Sequence, residues 1–165
     1  MEKIKLIILD VDGTMTDGGM YYTAEGDTMK KFNVKDGMGI VLLKKAGFKV
    51  AIMTSEDIPI AASRAKKLNV DATVLGCKNK TDAVKLLAED MELHLEEIAF
   101  MGDDVNDYHA MSIVGYSACP SDAVDAIRSI ADYNCQTKAG YGAVREFAEM
   151  ILRTHEKTNL LTENW

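Results

Sequence analysis

The chain has 165 residues, 47% of them hydrophobic, with 19 basic and 26 acidic side chains and a formal net charge of −7. That length and apolar content suit one domain with a real core and exclude a disordered chain, and the acidity, with no Lys/Arg cluster longer than a pair, argues against nucleic-acid binding. No apolar segment approaches the ~20 residues that span a bilayer, and Cys77, Cys119 and Cys135 are too few and too scattered for a disulfide framework or a zinc site, so a cytoplasmic protein is expected.

The first apolar run, Leu6 to Leu9, reads as a strand that stops at Asp10-Val11-Asp12-Gly13-Thr14. Strand alternation puts Asp10 and Asp12 on one face, and Gly13 lets backbone N–H groups approach an anion. Two carboxylates so close repel unless a cation or a proton intervenes, which suits metal-assisted phosphoryl transfer with Asp10 attacking and Asp12 moving the proton. Ordinary acidic turn residues are the weaker, alternative account of this tetrad taken alone.

Residues 20–23 and 28–32 then read as a β-hairpin around a turn at 24–27, projecting over the carboxyl end of the first strand, where open α/β sheets bind ligands. A helix is expected over 37–45, a strand over 50–53 ending in Thr54-Ser55, a helix over 58–68, a strand over 72–75, and a helix over 81–91 with Lys80 at its start. Thr54 could hold a phosphoryl oxygen, and the Lys80 ammonium could neutralise both a nucleophilic carboxylate and the group being transferred.

The strand at 98–101 runs into Gly102-Asp103-Asp104-Val105-Asn106-Asp107, where crowded carboxylates call for a hard cation. Magnesium takes few protein carboxylates, so Asp10, Asp103 and the Asp12 main-chain carbonyl make a suitable set, with Asp107 orienting a metal-bound water or Lys80 and Asp104 and Asn106 lying just behind. A strand at 114–118, a helix at 122–130, a short strand near Tyr133, a glycine-bearing loop at 138–142 and a helix from 143 to 153 complete the pattern. The expected fold is α/β, a Rossmann-like, mostly parallel sheet flanked by helices with a small hairpin flap, formed by one domain over 1–153 and followed by a frayed tail over 154–165.

Asp10-Val11-Asp12-Gly13-Thr14, Thr54, Lys80 and Gly102-Asp103-Asp104 with Asp107, in that order, resemble the haloacid dehalogenase superfamily of phosphotransferases. Residues 10–18, 31–39 and 140–146 further resemble its small capless branch, which contains the 3-deoxy-D-manno-octulosonate 8-phosphate phosphatases of lipopolysaccharide biosynthesis and the phosphatases of nine-carbon, sialic-acid-type ulosonate 9-phosphates. The resemblance implies a Mg²⁺-dependent phosphatase acting on a small sugar-acid phosphate, with Asp10, Asp12, Thr54 and Lys80 catalytic. It also implies a homotetramer whose hairpins cover neighbouring active sites. Gly13, Phe32, Asn33, Lys35, Asp36, Ser55, Glu56, Arg64 and Lys67 are then the candidate substrate contacts. Thr54-Ser55-Glu56 departs from the Thr-Gly-Arg typical of the octulosonate enzymes, and Glu56 with Lys67 looks more like the nine-carbon phosphatases. A receiver domain fits less well, since its acceptor Asp follows a later strand. A non-catalytic tetramerisation module like those attached to some sialate cytidylyltransferases is the remaining alternative.

Overall fold

The computed structural model describes residues 1–162. Six parallel strands form one sheet: β1 (Leu6–Leu9), β4 (Lys49–Met53), β5 (Ala72–Val74), β6 (Ile98–Met101), β7 (Tyr116–Cys119) and β8 (Tyr133–Asn134), in the order β5-β4-β1-β6-β7-β8. The chain winds outward from β1 through β4 to β5, then crosses back and winds the other way through β6, β7 and β8. The reversal puts a topological switch point at the carboxyl ends of β1 and β6.

Pleat alternation divides the core. Ile7 and Leu9 pack on one face with α1 (Val34–Lys45), α2 (Pro59–Leu68) and α6 (Ala143–Thr154), through Ile40, Leu43, Ala65, Phe147 and Ile151. Leu6 and Ile8 pack on the other with α3 (Lys80–Asp90), α4 (Tyr108–Ile113) and α5 (Asp125–Arg128), through Val84, Leu87, Met111 and Ile127. β1 is buried on both faces, which is why it reads as an unbroken apolar run.

Helix starts are set by local chemistry. The Asn33 side chain accepts from the Lys35 N–H and the Asn79 side chain from the Asp82 N–H, while Pro59 opens α2 with a residue that has no N–H to leave unpaired. The Asn33 cap explains why α1 begins three residues before Gly37. Asp36 lies inside its first turn, and its buried carboxylate crosses to accept the Arg145 N–H at the start of α6, 2.9 Å away.

Three further segments differ from the sequence expectation. The hairpin is tighter, β2 (Tyr21–Thr23) and β3 (Gly26–Met29), and the chain leaves it so that Phe32 bridges back to Thr16. The expected 122–130 helix shrinks to α5 because Asp122 is spent capping the Ala139 N–H and the Val124 N–H is tied to the Asp103 carbonyl. The segment after α6, expected to fray, instead docks: Lys157 donates to the Ala46 carbonyl, and Leu160 and Leu161 in a short helical turn lie against the core. Residues 163–165 of that expected tail lie outside the described residues. No described helix is long and apolar enough to cross a membrane.

Candidate active site

Lys80, the first residue of α3, is the hub. Its ammonium donates to Asp10 Oδ1 at 2.6 Å and to Asp107 Oδ1 at 2.5 Å, with all three side chains buried. Asp107 is fully used, because its second oxygen accepts the Asp103 N–H at 3.1 Å and the Asp104 N–H at 3.5 Å. It therefore pins the turn after β6 as well as the lysine.

Asp10, Asp103 and Asp107 present carboxylate oxygens within 4.8 Å of one another. A single ammonium, that of Lys80, faces these three carboxylates. Burial, followed by the charge of Asp107, pushes the Asp10 carboxyl well above the usual range against the pull of Lys80. Burial and Asp107 likewise raise Asp103 to about 7, although the Thr14 hydroxyl donates to its Oδ1 at 3.2 Å. Lys80 sits above its ordinary value, since the two carboxylates outweigh the effect of burying it. Hard oxygen donors with excess negative charge fit a small divalent cation. Because the Asp107 oxygens are already spent, Asp10 and Asp103 are the carboxylates left to hold it.

The turn between β1 and the hairpin has irregular helical form over Val11–Met15. Gly13 at φ +80° makes it possible: a Cβ there would be in a strained conformation and 2.1 Å from Asp103 Oδ2. The turn, rather than the pleat, aims Asp12. Asp10 faces Lys80, whereas Asp12 faces the hairpin, where Lys30 Nζ lies 2.5 Å from Asp12 Oδ1 and 3.0 Å from Asp27 Oδ2. Burial works against the Lys30 ammonium, but its bonds to the two carboxylates prevail and hold its pKa above the usual value.

Thr54 directly follows β4, which pairs beside β1, so the buried threonine stands at the same sheet edge, its hydroxyl accepting the Glu56 N–H at 3.1 Å. Ser55 and Glu56 are exposed next to it, and Ser55 accepts from the Asn106 amide at 3.3 Å. The exposed Asp104 caps its own turn through the Val105 N–H. The Gly13 N–H is directed at Thr16 Oγ1, 3.3 Å away.

Phe32, Arg64 and Lys67 line a cavity of about 440 Å³ together with Lys30. The Arg64 guanidinium lies 5.3 Å from the Phe32 ring centre and donates to the Asn33 carbonyl. The fold does not bring Asn33, Lys35 and Asp36 to this cavity as a strip. Asn33 caps α1 and also donates to the Gly140 carbonyl, Lys35 is exposed, and Asp36 is turned into the α1–α6 contact.

The sequence alone did not single out Thr14, Asp27 or Lys30, which the fold brings against Asp103 and Asp12. The available signal for Lys30 was its place at the base of a hairpin already expected over the ligand-binding edge, although in sequence Lys30-Lys31 looks like any solvated pair.

Comparison with known proteins gives this geometry a family. Residues 76–147 match the family model of haloacid dehalogenase-like hydrolases. The chain is 36% identical over 160 residues to 3-deoxy-D-manno-octulosonate 8-phosphate phosphatase of Haemophilus influenzae, covering 97% of this chain and 89% of that enzyme. The chain belongs to the haloacid dehalogenase superfamily, in its capless phosphatase branch. The crystal structure of the Moraxella catarrhalis octulosonate 8-phosphate phosphatase, in complex with magnesium, phosphate and KDO, superposes on the phosphatase described here with a TM-score of 0.93 at 32% identity, covering 97% of this chain and 92% of that one. The phosphatase is also 35% identical to N-acylneuraminate cytidylyltransferase A of Danio rerio, spanning 94% of itself but 36% of that longer enzyme.

Proposed function

We propose that this sugar-acid phosphatase hydrolyses a 3-deoxy-2-ulosonic acid phosphate of the octulosonate 8-phosphate type, in the cytoplasm, with Mg²⁺ held by Asp10, Asp103 and the Asp12 carbonyl. The observation that carries the reading is the convergence of Lys80 on Asp10 and Asp107 beside Asp103, within a chain that matches octulosonate phosphatases along nearly its whole length.

The chemistry follows from the residues. An Asp10 carboxylate oxygen attacks phosphorus, forming an acyl phosphate while the bond to the sugar oxygen breaks, and Asp12 gives that oxygen its proton. Water then attacks the aspartyl phosphate, giving a proton to Asp12 and releasing inorganic phosphate. Lys80 steadies Asp10 and the phosphoryl charge, and the Thr54 hydroxyl and the backbone N–H groups of residues 11 and 12 hold phosphoryl oxygens. When bound, Mg²⁺ offsets the negative charge that Asp10, Asp103 and the phosphoryl group bring together.

Arg64 and Lys67 put two cations around the cavity beside Phe32, which suits a carboxylate distant from the phosphate. A nine-carbon ulosonate 9-phosphate is the second reading, favoured by Glu56 in place of a cation beside Thr54. The exposed Met20, Tyr21, Tyr22 and Met29 give the hairpin an apolar surface suited to a homotetramer that shields each site from water.

The test is a panel of eight- and nine-carbon ulosonate phosphates with Mg²⁺, measured by phosphate release for the wild type and Asp10→Asn. The reading expects at least one ester to be hydrolysed far faster than simple sugar phosphates, and Asp10→Asn to be inactive but folded. Feeble, equal hydrolysis of every ester rejects the substrate class. No hydrolysis at all by the wild type favours the non-catalytic module.

A further inference from the structure

The hairpin does more than project over the sheet edge. Lys30, the residue immediately after β3, carries its ammonium down to Asp12, and its side chain is only 1% exposed. Asp27, the second residue of β3 and three positions before Lys30, forms an ion pair with the same ammonium at 3.0 Å, its own side chain 8% exposed. Asp12 Oδ1 is thereby occupied, while Asp12 Oδ2 is buried and has no protein hydrogen-bond partner. Lys30 also lines the cavity beside Phe32, Arg64 and Lys67, so it stands between that cavity and the acid–base group.

We propose that Lys30, oriented by Asp27, is the positioning residue for Asp12: it anchors Oδ1 and so aims Oδ2 at the sugar oxygen that leaves phosphorus. The inference rests on the reading of Asp12 as the acid–base group and goes beyond it by giving the hairpin a part in the reaction. The charge of Lys30 is already balanced by Asp27. It therefore acts on Asp12 as a hydrogen-bond donor that fixes the side-chain rotamer, both when Asp12 holds the proton on Oδ2 and when it has given it away. Lys30 exchanges no proton. As the Asp10–phosphorus bond forms and the phosphorus–sugar-oxygen bond breaks, the proton moves from Asp12 Oδ2 to the departing oxygen. The bland alternative is an ion pair between Lys30 and Asp27 that merely stiffens the hairpin, with Asp12 a bystander.

Leaving-group dependence separates the two. The parameter kcat/KM covers the reaction through departure of the alcohol. A primary alkyl phosphate needs a proton at that step, whereas p-nitrophenyl phosphate, with its good leaving group, does not. General acid catalysis is worth about 10²–10⁴-fold, and loosening the acid rather than removing it forfeits part of that, on the order of tenfold. Lys30→Met is therefore expected to lower kcat/KM on the best ulosonate phosphate by about tenfold and on p-nitrophenyl phosphate by less than about twofold. Lys30→Arg, which keeps the donor, should return the alkyl ester to within about threefold of wild type. Equal losses on both esters, or no loss on either, overturn the proposal.

Asp27→Asn, which leaves Lys30 in place but less firmly oriented, should shift the ratio in the same direction; an unchanged ratio counts against the proposal, and this variant decides the matter if Lys30→Met does not fold. Asp12→Asn is the control for the underlying reading. If its losses are not selective for the alkyl ester, the acid role of Asp12 falls. If they are selective and those of Lys30→Met are not, only the role of Lys30 falls.

Discussion

Replacing Lys80 by Met removes the ammonium that joins Asp10 to Asp107, leaving Asp10, Asp103 and Asp107 with oxygens within 4.8 Å and no countercharge at the hub. Breaking a buried ion pair from one side typically costs about 3–5 kcal/mol, because the remaining charge is stranded in a poor solvent. For a chain of this size each kcal/mol corresponds to roughly 2–4 °C in Tm, so the metal-free variant should melt roughly 6–20 °C below wild type at pH 8. The deficit should shrink in two ways. Mg²⁺ supplies replacement charge, so it should raise the Tm of the variant more than that of wild type. Acidification should act in the same direction. Asp103 is raised to about 7 and Asp10 also stands above its unfolded value, so in this metal-free protein their charged forms penalise the fold at high pH. The folded state then binds more protons than the unfolded one, and stability is regained as pH falls from 8 through 7 toward 5. Thermal unfolding followed by circular dichroism, in EDTA and in Mg²⁺ at pH 8 and pH 6, reads all three effects. An unchanged Tm in EDTA at pH 8, or a deficit that widens on acidification, would refute this account of the site.

Other outcomes follow from the same geometry. Gly13→Ala should fold with its helices intact yet lose about 100-fold in kcat/KM, since its Cβ would displace Asp103 Oδ2 from 2.1 Å away, and misplacement on the order of 1 Å is worth about that much; near-normal activity would contradict the tight approach. Mg²⁺ affinity measured by calorimetry should rise with pH through about 7, with proton uptake by the buffer marking ionisation of Asp103, and a pH-independent affinity would count against Asp103 as a ligand. Tyr22→Ser with Met20→Ser should weaken assembly and lower activity together in sedimentation and turnover assays; a fully active monomer would remove the need for a neighbour over the site.

The strand ends were legible because β1, β4 and β6 are apolar runs that halt at polar residues, and parallel α/β topology gathers such ends at one edge. That logic sets Asp10, Thr54 and Asp103 at one edge, whereas Lys80, at the start of α3, stands out only through the order of the four motifs taken together. The first turn of α1 was less legible. Asn33-Val34-Lys35-Asp36 offers amide, ammonium and carboxylate groups that look suited to a ligand, but Asn33 caps its own helix and Asp36 serves the start of α6, a partner 109 positions away that no local pattern announces. Asp12 was assigned by strand alternation although β1 ends at Leu9, and the turn enabled by Gly13 redirects its side chain toward Lys30. The docking of 157–161 was hidden for a similar reason: two leucines in a polar segment carry no periodicity, yet they find the core beside α1 and α6.

The central claim is that Asp10 carries the phosphoryl group between sugar and water. Rapid acid quench of the Mg²⁺-loaded enzyme during turnover of its best ulosonate phosphate, followed by peptide mass mapping, tests it most directly. The account predicts a phosphorylated peptide containing Asp10, formed at a rate no slower than turnover and absent from Asp10→Asn. A phosphoryl group trapped on any other residue, or turnover by Asp10→Asn at near wild-type rate, would contradict it.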